Sequence, residues 1–180
     1  MSLVGLAALL TSVLLVAAPS DAVPCENLAT LGLQNARITA AIAIPPGAFT
    51  PPGSPAGPPD PALANLPAFC RVTASLTPTP DSDIAIEVWL PVQGWNGKLQ
   101  SVGNGGWAGV IPYGALGAAL ASGYASAATD TGHVGNTAAF VPGHPEKLVD
   151  YGWRAVHEMT LAAKTILSAF FGREARRSYW

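Results

Sequence analysis

Residues 101–109, SVGNGGWAG, form the densest glycine cluster in the chain. They follow a short predicted strand at 98–102 and precede an Ala- and Leu-rich segment, 113–122, that predicts a helix ended by Gly123. The small residues of 124–129 predict a buried strand. Glycines between a strand and a helix let the backbone approach a ligand without a β-carbon in the way. The question that the glycine cluster raises is therefore what its backbone approaches.

The segments before the cluster predict an antiparallel hairpin. Residues 71–76 and 83–90 alternate between apolar and polar side chains, and Pro78 and Pro80 separate the two runs. In the second run one face carries Ile84, Ile86, Val88 and Leu90.

After the cluster, a long helix is predicted that Gly172 ends. Its apolar face steps by three or four residues: Leu148, Tyr151, Ala155, Met159, Ala162, Ile166 and Phe170. A leading hairpin followed by alternating strands and helices predicts an α/β fold.

Size and charge limit the classes of function. The 180 residues suffice for one domain with a core, and 9 Lys and Arg against 11 Asp and Glu give a net charge of −2. No basic run is present, so nothing in the sequence argues for nucleic-acid binding, and no nucleic-acid partner is expected.

The N-terminus predicts export. An apolar run at 3–18 is followed by Ser20 and Ala22, the small residues of a cleavage site, so 1–22 is interpreted as a signal peptide and 23–180 as the mature portion. The protein is then secreted or periplasmic, with no membrane partner after cleavage. The alternative is a buried or membrane-anchored helix, which Pro19 and Pro24 would end quickly. No Lys or Arg precedes the run, a departure from the usual signal.

Cys25 and Cys70 are the two cysteines of the chain. In an exported protein an even pair favours a disulfide, with two buried free thiols as the alternative. A metal site is disfavoured because no Cys or His lies near either one at ligand spacing. Between them, the proline density of 45–61 predicts an exposed loop without helix or strand.

The glycine cluster has three interpretations. The first is a dinucleotide-binding fingerprint, which the pattern Gly103-x-Gly105-x-x-Ala108 fits and to which Asp130, about 20 residues further on, would contribute the acidic residue. Export and the leading hairpin weigh against this interpretation. The cluster also fits the oxyanion loop of an ester hydrolase, where backbone amides face a developing negative charge. The third interpretation is a structural turn alone.

None of the three histidines predicts a site by itself. His157 begins an incomplete zinc-protease pattern, because Leu161 stands where the second ligand would be, so it is expected to be packed or capping. His144 lies in a Pro-Gly-His-Pro turn and is expected to be solvated. His133 follows Asp130 in a loop that favours ordinary turn chemistry over a site.

Taken together, the segments resemble the tannase/feruloyl esterase family, secreted serine esterases that include mono(2-hydroxyethyl) terephthalate hydrolases. The matching segments are FCRV at 69–72, IEVWLP at 86–91, WNGK at 95–98, GNGGW at 103–107, GYA at 123–125, TDTGH at 129–133, DYG at 150–152, HEMT at 157–160 and RSYW at 177–180. The resemblance implies an α/β-hydrolase fold, a lid domain that often holds structural calcium, and a Ser-Asp-His triad. It also implies an oxyanion-hole amide at Gly105 and Gly106 and a Cys25–Cys70 disulfide.

The chain departs from the family pattern at its catalytic residues. The family's nucleophile elbow directly follows the segment matching 178–180, and the chain contains no Gly-x-Ser-x-Gly. The expectation is therefore an N-terminal portion of an α/β-hydrolase domain, without catalytic Ser, Asp or His, lid, metal or cofactor, and inactive alone. The parent protein would hydrolyse small phenolic or aromatic esters. The alternative is a non-catalytic secreted α/β binding module.

Overall fold

The computed structural model describes residues 22–55, 57 and 60–180, so residues 1–21 of the predicted signal peptide lie outside the described part. The strands are β1 (Ala36–Ile44), β2 (Phe69–Leu76), β3 (Ile84–Pro91), β4 (Lys98–Val102), β5 (Ala125–Thr129) and β6 (Arg177–Tyr179). The α-helices are α1 (Tyr113–Ala121), α2 (Pro145–Val149) and α3 (Ala155–Phe171), and a π-helical turn, Asp150–Arg154, joins the last two. Among these helices none is long and apolar enough to cross a bilayer.

The six strands form one mixed sheet in the order β1-β2-β3-β5-β4-β6. Neighbours from β1 to β5 are antiparallel, whereas β4 is parallel to both β5 and β6. The β4–α1–β5 segment is thus a parallel crossover, as the alternating pattern predicts. The carboxyl ends of β4, β5 and β6 consequently meet at one edge of the sheet.

Helices cover both faces of the sheet. The predicted alternation of β3 is confirmed: Ile84, Ile86, Val88 and Leu90 are buried in one cluster with residues of α3. Trp89 points to the other face, where it packs with Leu116 and Leu120 of α1. Burial of these side chains from water is the main contribution that holds the layers together.

The cysteine pair forms a disulfide, which settles the alternative of two free thiols. Cys25 begins a 3₁₀-helix, Cys25–Thr30, and the bond ties this helix to β2. The helix precedes β1, a strand that the sequence analysis did not predict. β1 is an edge strand rich in alanine, and only Ile38 and Ala41 are buried, so its alternation is weak.

The proline-rich loop differs from its prediction in one respect. The described part of 45–61 contains no helix or strand, as predicted, but Phe49 is buried rather than exposed. Its ring lies 4.6 Å from that of Trp89 and packs beside Leu63 and Leu66. The loop therefore covers part of the α1 face of the sheet.

The long helix predicted after the glycine cluster is divided at the π-helical turn, Asp150–Arg154. The predicted apolar face is confirmed within α3, where Ala155, Met159, Ala162, Ile166 and Phe170 are buried. It is wrong before the turn, because Leu148 is 44% exposed and Tyr151 is half-buried. A π turn holds more residues than an α turn, so the apolar face does not continue through it.

A buried carboxylate connects α1 to the sheet. Glu87 of β3 accepts two hydrogen bonds from Arg71 of β2, at 2.8 and 2.5 Å. It also accepts one from Trp89 Nε1 at 2.8 Å and one from the hydroxyl of Tyr113, the first residue of α1, at 2.9 Å. Burial and the charge of Glu87 raise the pKa of Tyr113 to about 12, so its phenol remains a donor.

Candidate functional site

The glycine cluster lies at the edge where the parallel strands end. Residues 103–109 follow β4, residues 130–133 follow β5, and Trp180 follows β6. Ligands of open α/β sheets bind outside the carboxyl ends of the strands. A β-carbon on Gly103 would lie 2.5 Å from Cζ2 of Trp180, so a larger residue there would displace the indole.

Three successive carbonyl groups of the loop accept hydrogen bonds. The Gly105 carbonyl accepts from the Ala108 amide at 3.2 Å. The Gly106 carbonyl accepts from the Tyr151 hydroxyl at 2.6 Å, and the Trp107 carbonyl accepts from His133 Nε2 at 2.9 Å. The conformation of the turn is thus fixed from its carbonyl side.

The amide side of the same turn is open. Within the described part of the chain, the N–H groups of Gly105, Gly106 and Trp107 have no acceptor. A β-carbon on Gly105 or Gly106 would meet nothing within 4 Å, and Gly106 adopts a φ of +54°. Successive amides that face open space are the donors by which a backbone turn binds an anion.

Hydrogen bonds from the loop to other segments fix its base. Asn104 Nδ2 donates to the Thr129 carbonyl at 3.0 Å, which ties the loop to the end of β5. The Gly109 amide donates to the Gly135 carbonyl at 2.6 Å. The loop is therefore anchored at both ends.

Aromatic rings flank the loop. Trp107, which is 40% exposed, stacks on Tyr151 with ring centroids 4.5 Å apart. His133 stacks on Phe140 at 3.9 Å, and its own ring meets that of Tyr151 edge-on at 5.6 Å. Such contacts add to the burial energy of each ring.

His133 has a structural role in this arrangement. It is 6% exposed, and because a carbonyl only accepts, Nε2 carries the proton that is donated to Trp107. Nδ1 lies 3.3 Å from the Thr131 hydroxyl. The sequence favoured ordinary turn chemistry at this histidine, and the structure adds that it fixes the glycine loop.

The other two histidines lie elsewhere on the surface. His144 is exposed, as predicted, and its Nδ1 lies 2.7 Å from Asp81 Oδ1. The prediction that His157 is packed or capping is wrong. It is exposed and meets only the edge of Trp153, at 5.8 Å, because its position on α3 points away from the sheet.

Asp130 is engaged with the backbone and argues against the dinucleotide interpretation. Its Oδ1 accepts from the amides of Ala85 and Gly132 at 3.0 and 2.8 Å. In the dinucleotide fold this acid instead binds the ribose, and the glycine turn opens directly into the helix. Here α1 begins only at Tyr113, beyond Gly109 and Pro112.

Sequence reasoning missed Tyr151 as a residue of the site. Its place in the stepped apolar pattern indicated a core position, and the carbonyl to which it donates lies 45 positions away along the chain. The one available signal was that 150–152 is among the segments that resemble the esterase family.

Comparison with known proteins identifies relatives of the chain. Residues 70–180 match the model of the family described as tannase and feruloyl esterase. The chain is 40% identical over 182 residues to an uncharacterized esterase of Xanthomonas campestris pv. campestris, covering 99% of this chain and 29% of that protein. It is 35% identical over 111 residues to feruloyl esterase B of Aspergillus niger, covering 62% of this chain and 21% of that protein.

The fold agrees with a solved structure. The crystal structure of feruloyl esterase B from Aspergillus oryzae superimposes with a TM-score of 0.76 at 28% identity, over 86% of this chain and 30% of that chain. This match confirms the predicted fold, part of an α/β-hydrolase. The chain spans about three tenths or less of the length of these relatives.

Proposed function

Because the chain belongs to the tannase and feruloyl esterase family, we propose that the complete protein hydrolyses carboxylic esters and that Gly105 and Gly106 supply its oxyanion hole. One observation supports this role most directly: the amides of both glycines lack acceptors among the described residues, and both glycines are exposed. Each such donor contributes about 3 kcal/mol to stabilisation of a transition state.

The proposed reaction is acyl transfer through a serine. A serine attacks the ester carbonyl with a histidine as general base, and the carbonyl oxygen becomes an oxyanion that the glycine amides stabilise. The alcohol leaves with a proton from the histidine, and water then releases the acid from the acyl-enzyme. In this proposal the Ser, Asp and His are contributed by the parent protein, outside the 180 residues.

The position of β6 supports the placement of the serine. In α/β-hydrolases the nucleophile stands on a sharp turn between a strand and a helix, beside the oxyanion loop. β6 is parallel to β4, and Trp180 at its end already packs against Gly103 at the start of the glycine loop. A turn after Trp180 would begin next to the proposed donors.

The proposed substrates are esters with a phenolic or aromatic group. Two relatives are feruloyl esterases by name, and the exposed Trp107 stacks on Tyr151 beside the loop. We also propose that the protein is secreted or periplasmic. The signal-like residues 1–22 support this, and the Cys25–Cys70 disulfide requires an oxidising compartment to persist.

An activity assay tests the proposal. The purified protein from the complete reading frame is expected to hydrolyse methyl ferulate and p-nitrophenyl acetate and to be inactivated by a serine-directed organophosphate. Residues 23–180 alone are expected to be inactive. Turnover by this isolated segment would refute the assignment of the catalytic residues to the parent.

Sequencing of the reading frame beyond Trp180 separates the esterase from the alternative binding module. A Gly-Cys-Ser-x-Gly-Gly elbow in the next codons is the expected result. A stop codon at that place, together with a stable exported product, would favour the binding module instead.

A further inference from the structure

We infer that Tyr151 is a positioning residue of the oxyanion loop: its hydroxyl holds the Gly106–Trp107 peptide so that the Trp107 N–H stands beside the Gly106 N–H as a further donor. The inference rests on the proposed function, and it concerns two groups that the family resemblance did not single out, the phenol of Tyr151 and the amide of Trp107.

Peptide geometry gives the direction of each amide. The chain has no cis peptide bond among its described residues, and in a trans peptide the C=O and the N–H point in opposite directions. The Gly106 carbonyl is turned toward the Tyr151 hydroxyl, so the Trp107 N–H points away from Tyr151. The Gly105 carbonyl is turned toward the Ala108 amide, so the Gly106 N–H points out of the turn.

A glycine turn needs such a constraint. Glycine loses more conformational freedom on ordering than other residues, so the Gly106–Trp107 peptide needs a partner of its own in addition to the hydrogen bonds at the Gly105 and Trp107 carbonyls. The hydrogen bond from Tyr151, at 2.6 Å, selects one orientation of that peptide. An oxyanion hole depends on donors that are oriented before the reaction begins.

The backbone at Tyr151 is itself held in an unusual geometry. Tyr151 belongs to the π-helical turn, a form that occurs often at functional sites. Asp150 is fully buried and accepts from Arg154 Nε across this turn at 2.5 Å, which fixes the segment from which the phenol projects.

A single variant isolates the hydroxyl. Tyr151→Phe retains the ring that stacks on Trp107 and removes only the donor to Gly106. Tyr124→Phe is the matched control, because Tyr124 precedes the amino end of β5, away from the glycine loop, and its ring contacts Tyr179 rather than the loop. In the complete protein, Tyr151→Phe is expected to lower kcat for methyl ferulate about 10- to 100-fold, since one lost oxyanion donor costs about 100-fold or more. KM stays within about 2-fold, because the donors act mainly in the transition state.

A second readout is independent of turnover. With [15N]tryptophan labelling, the backbone amide of Trp107, identified by the Trp107→Phe spectrum, reports the order of the peptide. In Tyr151→Phe its order parameter is expected to fall from about 0.85 to below about 0.6, and in Tyr124→Phe to remain unchanged.

The two readouts distinguish the two claims. A wild-type protein that does not hydrolyse esters refutes the proposed function, while the order parameter still tests the role of Tyr151. An unchanged order parameter, an unchanged kcat in an active enzyme, or a Tyr151→Phe protein that does not fold would each overturn the inference.

Discussion

Gly109 lies directly against the backbone of His133: a β-carbon at Gly109 would overlap the His133 carbonyl oxygen. The two residues belong to the loops that follow β4 and β5, and the Gly109–Gly135 bridge lies beside them. This contact holds the glycine loop against the loop that fixes its carbonyl groups.

Gly109→Ala is therefore expected to destabilise the protein by about 1 to 3 kcal/mol, the usual cost of forced overpacking, because backbone atoms must move. Gly114→Ala is the control. A β-carbon at Gly114 meets nothing within 4 Å, and alanine in this first turn of α1 is expected to leave the stability unchanged or to raise it slightly. Urea denaturation measures both, and equal stabilities of the two variants would contradict the contact.

Removal of the Glu87 carboxylate is expected to destabilise the protein strongly. Glu87→Ala leaves the guanidinium of Arg71 without its partner, and loss of one member of a buried ion pair costs about 3 to 5 kcal/mol. Tyr113→Phe removes a single hydrogen bond to the same carboxylate and is expected to cost about 1 kcal/mol. Chemical denaturation gives both values. A loss below about 1 kcal/mol in Glu87→Ala would show that Arg71 finds solvent or another partner.

The disulfide is expected to contribute about 4 kcal/mol, since it closes a loop of 45 residues in the unfolded chain. The double variant Cys25→Ser/Cys70→Ser should lose about that amount in urea denaturation. Wild-type protein in excess dithiothreitol is the control and should show the same loss. A double variant as stable as the oxidised wild type would contradict the assignment of this stabilising role.

Asp130 is expected to make stability depend on pH in the acidic range. Burial raises its pKa to about 6, while hydrogen bonds from Gly132 and Ala85 act in the opposite direction. Between its ordinary value near 3.8 and about 6 the folded state binds the proton more tightly than the unfolded state. Stability therefore falls as pH rises through this window and levels off above it.

Asp130→Asn is expected to remove this slope, because the amide oxygen still accepts from both backbone N–H groups but does not ionise. Unfolding free energies from pH 4 to 7 measure the difference, which should not exceed about 3 kcal/mol. Glu174→Gln, at an exposed carboxylate, is the control and should leave the profile unchanged. Parallel profiles for wild type and Asp130→Asn would refute the raised pKa.

The sequence predicts those elements whose signal is local. The alternation in β3, the small residues of β5 and the stepped face of α3 each reflect burial on one side of one element, and the structure confirms them. The sequence analysis did not predict β1, because an edge strand buries few side chains and its alanines give little contrast between apolar and polar positions. Phe49 was expected to be exposed with the rest of its loop and is buried, because proline density indicates the backbone conformation of a segment and not the burial of a single ring.

The candidate site shows the same difference between local sequence patterns and long-range contacts. Glycine density indicated the loop as the candidate site, and the positive φ of Gly106 is a conformation that glycine adopts readily. The hydrogen bonds that orient the loop come from Tyr151 and His133, which lie 45 and 26 residues from the atoms that they contact. Contacts over such separations depend on how the helices pack on the sheet, and no local sequence pattern indicates them.

The central claim, that the glycine loop stabilises the oxyanion of an ester under attack, is tested most directly by a crystal structure of the complete protein inactivated with diethyl p-nitrophenyl phosphate. The phosphoryl oxygen that mimics the oxyanion should lie about 2.7 to 3.1 Å from the amide nitrogen of Gly106. A phosphoryl group on a serine whose oxygens point away from Gly105 and Gly106, with no hydrogen bond to the loop, would contradict it.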